Sequence, residues 1–192
     1  MTFILREHSG STSRIACDGD DLRLKSGMQF LHAALPRGIE DDRRFIARMS
    51  EPSWDGILVC GVETPADIEK ASALLRIAEA ARAMPQGALL ILARLDTARA
   101  ALGLARFDRP IPRLAGLVFA ADALALASGA AADSALVTDL GLRLPLAARA
   151  SGAAAILRTD ESGPQTIARA RNDGYVGLWL SQAQTVARLS GG

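Results

Sequence analysis

Cysteine is nearly absent from this chain: Cys17 and Cys60 are the only 2 in 192 residues. Two cysteines at no metal-type spacing build neither a disulfide framework nor a zinc motif. Aromatic residues are scarce, at 4%. Charge of one sign is scarce too, with 22 Lys and Arg against 21 Asp and Glu. A formal net charge of +1 leaves no basic excess, which argues against nucleic acid or an anionic membrane as partner. No run approaches the roughly 18 uninterrupted apolar residues of a transmembrane helix. Arg6 and Glu7 stand where a signal peptide needs its apolar stretch. These absences read as a cytoplasmic protein. His8 and His32 lie far apart and suggest no cluster.

What the chain does have is apolar residues, 49% of the total and much of it Ala and Leu. That suits closely packed helices and buried strands in one domain, residues 1–192, and argues against disorder. Short apolar runs fall at Ile57–Cys60, Leu89–Ala93, Leu114–Phe119, Ala153–Leu157 and Val176–Leu180, with a weaker one at Met28–Ala33. Amphipathic stretches separate them, as in repeated βα units. Runs without polar alternation imply strands covered on both faces, hence a parallel sheet. Helices are expected at Asp41–Met49, from Thr64 to near Met84, at Asp122–Ala127, Thr138–Ala150, Pro164–Asn172 and Gln182–Leu189. Thr64-Pro65-Ala66-Asp67 reads as an N-cap, a proline at the first helical position and an acid at the third. Gly152 and Gly174 sit just past helix ends, where a left-handed cap is common.

The fold class is therefore α/β, a parallel (β/α) barrel incomplete at its N-terminus. The runs from Met28 onward account for six βα units. A complete unit takes roughly 30 residues, so residues 1–27 cannot supply two more. They form an irregular segment in which Phe3–Leu5 and Arg14–Cys17 could each be a strand, joined through Gly10 and its Ser/Thr neighbours. Missing units leave sheet edges to pair and apolar surface to cover. That predicts a homo-oligomer, with Met1–Lys25 covering part of the gap.

Two successive apolar runs end near a carboxylate, Asp96 and Asp122. Residues at the C-terminal ends of barrel strands face the active site, and two such acids could hold a hard cation such as Mg²⁺ between them. Residues i and i+2 of a strand share a face, so Arg94 would enter the same mouth one layer below Asp96. A guanidinium there needs a partner, and Asp96 and Asp122 are the obvious ones. Cys60 ends an apolar run and reads as a buried small hydrophobe or, alternatively, as an active-site thiol.

From Asp55 to about Gly152 the chain resembles the citrate lyase β-subunit-like family. Asp55-Gly56-Ile57-Leu58-Val59-Cys60-Gly61-Val62-Glu63 resembles that family's D-G-[IV]-V-L-P-K-V-E strand. Ala93-Arg94-Leu95-Asp96-Thr97-Ala98-Arg99-Ala100 resembles A-L-I-E-T-A-R-G. The segment from Arg113 to Ala125 resembles R-V-A-G-L-M-F-G-A-E-D-L-A. The resemblance implies a barrel that cleaves or forms carbon–carbon bonds in acyl-CoA or 2-oxo acid substrates, with Mg²⁺ stabilising the enolate. It places the first metal ligand at Asp96. An ungapped match places the second at Ala123, with Asp122 one residue earlier. Arg94, facing the mouth beside Asp96, is the candidate for substrate binding, although the family motif has leucine there. The motif lysine is Gly61 here, no arginine lies between Met28 and Leu35, and Leu180-Ser181-Gln182-Ala183 replaces the I-H-P that ends the last strand. Two readings follow: a Mg²⁺-dependent lyase or aldolase, or a catalytically degenerate barrel serving as partner subunit or binding module. No catalytic residue is assigned in either.

Overall fold

Ile57, Leu58 and Val59 are fully buried, and so are Leu114, Leu117 and Val118. Strands shielded on both faces belong to a sheet with its helices outside. A computed structural model describes residues 3–8, 12–16, 24, 25, 27–161 and 163–180. Its strands are β1 (Phe3–His8), β2 (Thr12–Ala16), β3 (Gln29–Ala34), β4 (Gly56–Cys60), β5 (Leu90–Leu95), β6 (Leu114–Phe119), β7 (Ala154–Thr159) and β8 (Gly177–Leu180). They follow one another in chain order around a closed barrel. β3 to β8 pair in parallel.

The first two strands are the departure from a regular barrel. β1 and β2 form an antiparallel hairpin, β2 pairs antiparallel with β3, and β1 closes the ring parallel to β8. A hairpin thus fills the arc of two βα units. The strands that the sequence allowed within residues 1–27, at Phe3–Leu5 and Arg14–Cys17, are β1 and β2 with shifted bounds, and they form a hairpin. The expectation of open sheet edges is corrected, because β2 and β1 pair with β3 and β8. Cys17 and the helix expected at Gln182–Leu189 lie outside the described residues.

Outside the sheet lie α1 (Ile39–Met49), α2 (Pro65–Ala81), α3 (Ala98–Leu102), α4 (Ala121–Ser128), α5 (Ala135–Ala150) and α6 (Pro164–Asn172). The start of α2 is the capping box that its sequence announces: the Asp67 carboxylate accepts from the Thr64 N–H at 3.0 Å. Its end comes at Ala81, earlier than Met84, and Arg82 there donates to the Trp54 carbonyl. α3 is too short to show a sequence period. It starts because the Thr97 hydroxyl accepts from the Ala100 N–H at 3.0 Å. Gly152 and Gly174 adopt φ of +70° and +91°, as their positions past helix ends require.

The core has two parts. Between sheet and helices, Ile57, Val59, Ile91, Leu117 and Leu178 pack against α2 and α5 residues such as Leu75 and Leu144. Inside the barrel, Phe30, Leu58, Leu92, Val118, Ile156 and Trp179 fill the axis. Each such side chain contributes about 1.5–3 kcal/mol by leaving water. Gly116 makes room for them. A Cβ there would stand 2.7 Å from Ile156 Cδ1 and 2.9 Å from Leu92 Cδ2.

Candidate functional site at the barrel mouth

The interior residues continue upward, strand by strand, into polar ones. Alternation carries Leu92 to Arg94 on β5, Ile156 to Arg158 on β7 and Phe30 to His32 on β3. Cys60, at the end of β4, packs against the interior cluster. Registers Ala34↔Cys60 and Val59↔Ala93 put Cys60 between β3 and the strand that carries Arg94. The structure therefore brings together His32, Cys60 and Arg94, which the sequence leaves scattered.

Arg94 and Asp96 meet as the i, i+2 geometry predicts. Arg94 donates through Nε at 2.7 Å and through a terminal nitrogen at 2.6 Å, both to Asp96 Oδ2. The other oxygen, Oδ1, accepts the Gly61 N–H at 2.9 Å. Gly61 reaches it in a left-handed conformation, φ +73°, so the glycine standing in the motif lysine's place serves as a backbone donor. The Asp96 side chain is 10% exposed and that of Arg94 25%. Burial opposes the Arg94 charge, but the negative charges that Cys60, Asp96 and Asp122 carry when deprotonated outweigh that and hold its pKa above the ordinary arginine value.

Asp122 lies in the first turn of α4, three residues beyond Phe119, where both the expected run and β6 end. It pairs with Arg158, and its side chain is 61% exposed. Burial tends to raise its pKa, but the Arg158 hydrogen bond and charge, with the Ala123 and Asp122 N–H groups, hold it below the ordinary carboxylate value. Arg158 also stacks on Trp179, its guanidinium carbon 5.4 Å from the ring centre. Trp179 in turn meets His32 edge to face, at 5.2 Å between centroids. Burial first, and then the Arg94 charge, lower the His32 pKa to about 4, which keeps the imidazole neutral at physiological pH.

Sequence reasoning found Arg94, Asp96 and Asp122 and missed Arg158, His32 and Trp179. Arg158 carried a signal: it lies two residues beyond Ile156 and one past the expected end of its strand. His32 sat in the weakest apolar run.

As arranged, the donor set does not suit a magnesium ion. Both Asp96 oxygens already accept from protein donors, Asp122 carries its own guanidinium, and two cations occupy the mouth. Among the described residues no group of three His, Cys, Asp or Glu side chains could hold a metal ion. What the arrangement can do is present guanidinium nitrogens and a neutral imidazole to an anion.

No family model matches this chain, and no curated protein matches it. Solved structures do. A citrate lyase from Burkholderia xenovorans LB400 superposes with a TM-score of 0.67 at 14% identity, covering 82% of this chain and 55% of that one. An HpcH/HpaI aldolase from Desulfitobacterium hafniense DCB-2 gives 0.64 at 13% identity, over 84% and 69%. A malate synthase from Haloferax volcanii, solved as a pyruvate/acetyl-CoA ternary complex, gives 0.64 at 16%, over 82% and 49%. This chain spans about half the length of that malate synthase and of the citrate lyase. Among the described residues no helix is long and apolar enough to cross a membrane. The fold of this chain is that of the citrate lyase and HpcH/HpaI aldolase barrels, with a hairpin in place of the first two βα units.

Proposed function

We propose that this lyase-type barrel receives a small 2-oxo acid at its mouth, with Arg94 holding the carboxylate, and that it does so without a metal, as a binding module or partner subunit. One observation carries the reading: Arg94 and Gly61 together occupy both oxygens of Asp96, the position that the family resemblance gives to a metal ligand. The likeness to a malate synthase solved with pyruvate supports the ligand class. Isothermal titration of the full chain tests it. Pyruvate should bind without added metal and lose binding in Arg94→Leu. Mg²⁺ should bind the wild type weakly and Arg94→Leu at least about tenfold better, because the competing charge is gone.

A second reading, a Mg²⁺-dependent carbon–carbon lyase or aldolase acting on 2-oxo acids or acyl-CoA, is favoured by one fact. Acids still follow two successive strands, at Asp96 and Asp122. Tight Mg²⁺ binding by the wild type, lost in Asp96→Ala, would establish that reading and sink the first.

A homo-oligomer belongs to either reading, on different grounds from an open sheet edge. Leu102 on α3, Leu126 on α4 and Leu146 on α5 are 90%, 87% and 72% exposed, on helices that touch in succession, and we take them together as a surface that an interface would cover. Light scattering at micromolar concentration should give more than a monomer's mass.

A further inference from the structure

On the helix side of the sheet, a cleft of about 440 Å³ opens between α5 and α6, a size that suits a small organic ligand. Its cause is local. Pro145 stands inside α5 and has no N–H, so the Gly141 carbonyl four residues earlier loses its helical donor. The Tyr175 hydroxyl, just beyond α6, replaces that donor at 2.6 Å. Next to it Gly174 lies against Pro145, where a Cβ would stand 3.1 Å from the proline Cβ. These two contacts fasten the C-terminal end of α6 to α5. The rest of α6 stands off, and Ala170 is its only buried residue. A helix held at one end and parted from its neighbour at the other encloses a wedge. Phe119 and Leu157, on the outer faces of β6 and β7, form its apolar floor. The sheet separates it from Arg94 in the mouth. The rim is charged. Arg169 has its side chain 83% exposed and reaches Asp173 only at 3.9 Å, beyond hydrogen-bonding distance. Glu161, just before α6, accepts from the Thr166 hydroxyl at 3.0 Å through one oxygen and is in no ion pair among the described residues. An apolar floor below a loosely paired guanidinium and an unpaired carboxylate complements a zwitterion with an apolar body.

We infer that this cleft binds a free α-amino acid with an apolar side chain. That side chain packs on Phe119 and Leu157, the carboxylate accepts from Arg169, and the ammonium donates to Glu161. The site is independent of the reading given to Arg94.

Isothermal titration of the full chain with phenylalanine tests this. Phenethylamine, which lacks the carboxylate, and 3-phenylpropionate, which lacks the ammonium, should each bind about fivefold more weakly, the scale of one solvent-facing ion pair. Arg169→Leu should bring phenylalanine to the affinity of phenethylamine, and Glu161→Gln to that of phenylpropionate. Thr138, on α5, stands exposed at the lip of the cleft, so Thr138→Trp fills the entrance without altering charge and should abolish binding of all three. Arg94→Leu should leave phenylalanine binding unchanged. No binding of phenylalanine at millimolar concentration overturns the site, and so does binding that survives Thr138→Trp or is lost in Arg94→Leu. Failure here leaves the Arg94 reading intact, since that is tested with pyruvate. Should Thr138→Trp not fold, equal phenylalanine affinity in the wild type and Arg169→Leu overturns the site by itself.

Discussion

The barrel carries the same chemical pair at both ends, an arginine against a carboxylate, and the two ends use it differently. At the bottom, Glu79 near the end of α2 meets Arg113 just before β6, with side chains 2% and 6% exposed. Glu79 accepts two Arg113 nitrogens, one of them at 2.7 Å, and the Leu89 and Gly87 N–H groups at 2.9 and 3.1 Å. Arg113 holds its place with a left-handed backbone, φ +65°. At the mouth, Arg94 is 25% exposed, and Asp122, paired with Arg158, is 61% exposed. The bottom pair has its hydrogen bonds completed by backbone and is closed to solvent. The mouth pairs are partly open to solvent. Closure makes an ion pair a fastening between helix and sheet, and access makes it a place where a ligand's carboxylate can compete.

The largest effect should come from breaking the closed pair. Glu79→Gln strands the Arg113 charge inside the protein and should cost about 3–5 kcal/mol, the range for removing one partner of a buried pair. Urea denaturation followed by circular dichroism measures this, and an unchanged midpoint would erase the distinction between the two ends.

A pH series separates the ends by their titration windows. The folded protein holds His32 near pKa 4, below its ordinary 6.5. Protons therefore bind the unfolded chain first. The contribution of His32 to stability is complete above pH 6.5 and is lost as the pH falls toward 4. Glu79 is different. Burial raises its pKa, but the Arg113, Leu89 and Gly87 donors outweigh that and hold it below 4.5, so its contribution is lost only at lower pH. Thermal melts should show Tm falling across the His32 window, and His32→Gln should flatten that segment alone. A slope that survives the substitution would assign the window to another group.

The smallest effect is expected at the exposed pair. Asp122→Asn should change stability by less than about 1 kcal/mol, as for other solvated ion pairs. A loss comparable to that in Glu79→Gln would mean that the mouth is fastened like the bottom.

How much of this was legible beforehand depends on the range of the interactions. The runs at Ile57–Cys60 and Leu114–Phe119 name their strands because burial on both faces leaves only apolar residues there. The Arg94–Asp96 pair is legible because i and i+2 share a strand face. Arg158 with Asp122 is not, since 36 residues separate them and the contact depends on barrel closure. The Glu79–Arg113 pair, 34 residues apart, escaped for the same reason. The Phe3–Leu5 and Arg14–Cys17 segments could be recognised as the strands of a hairpin, but not that the hairpin would join β8 to β3.

The sequence by itself determined the βα period, the parallel order of the central strands and the facing of Arg94 with Asp96, because each follows from apolar patterning or from spacing along a single strand. Tertiary structure decided that a hairpin closes the ring, that each mouth acid carries its own arginine and that His32, Cys60 and Trp179 share the mouth. These depend on distances across the barrel, which follow from how many strands fit around the axis and in what register, and no local stretch of the chain encodes that number.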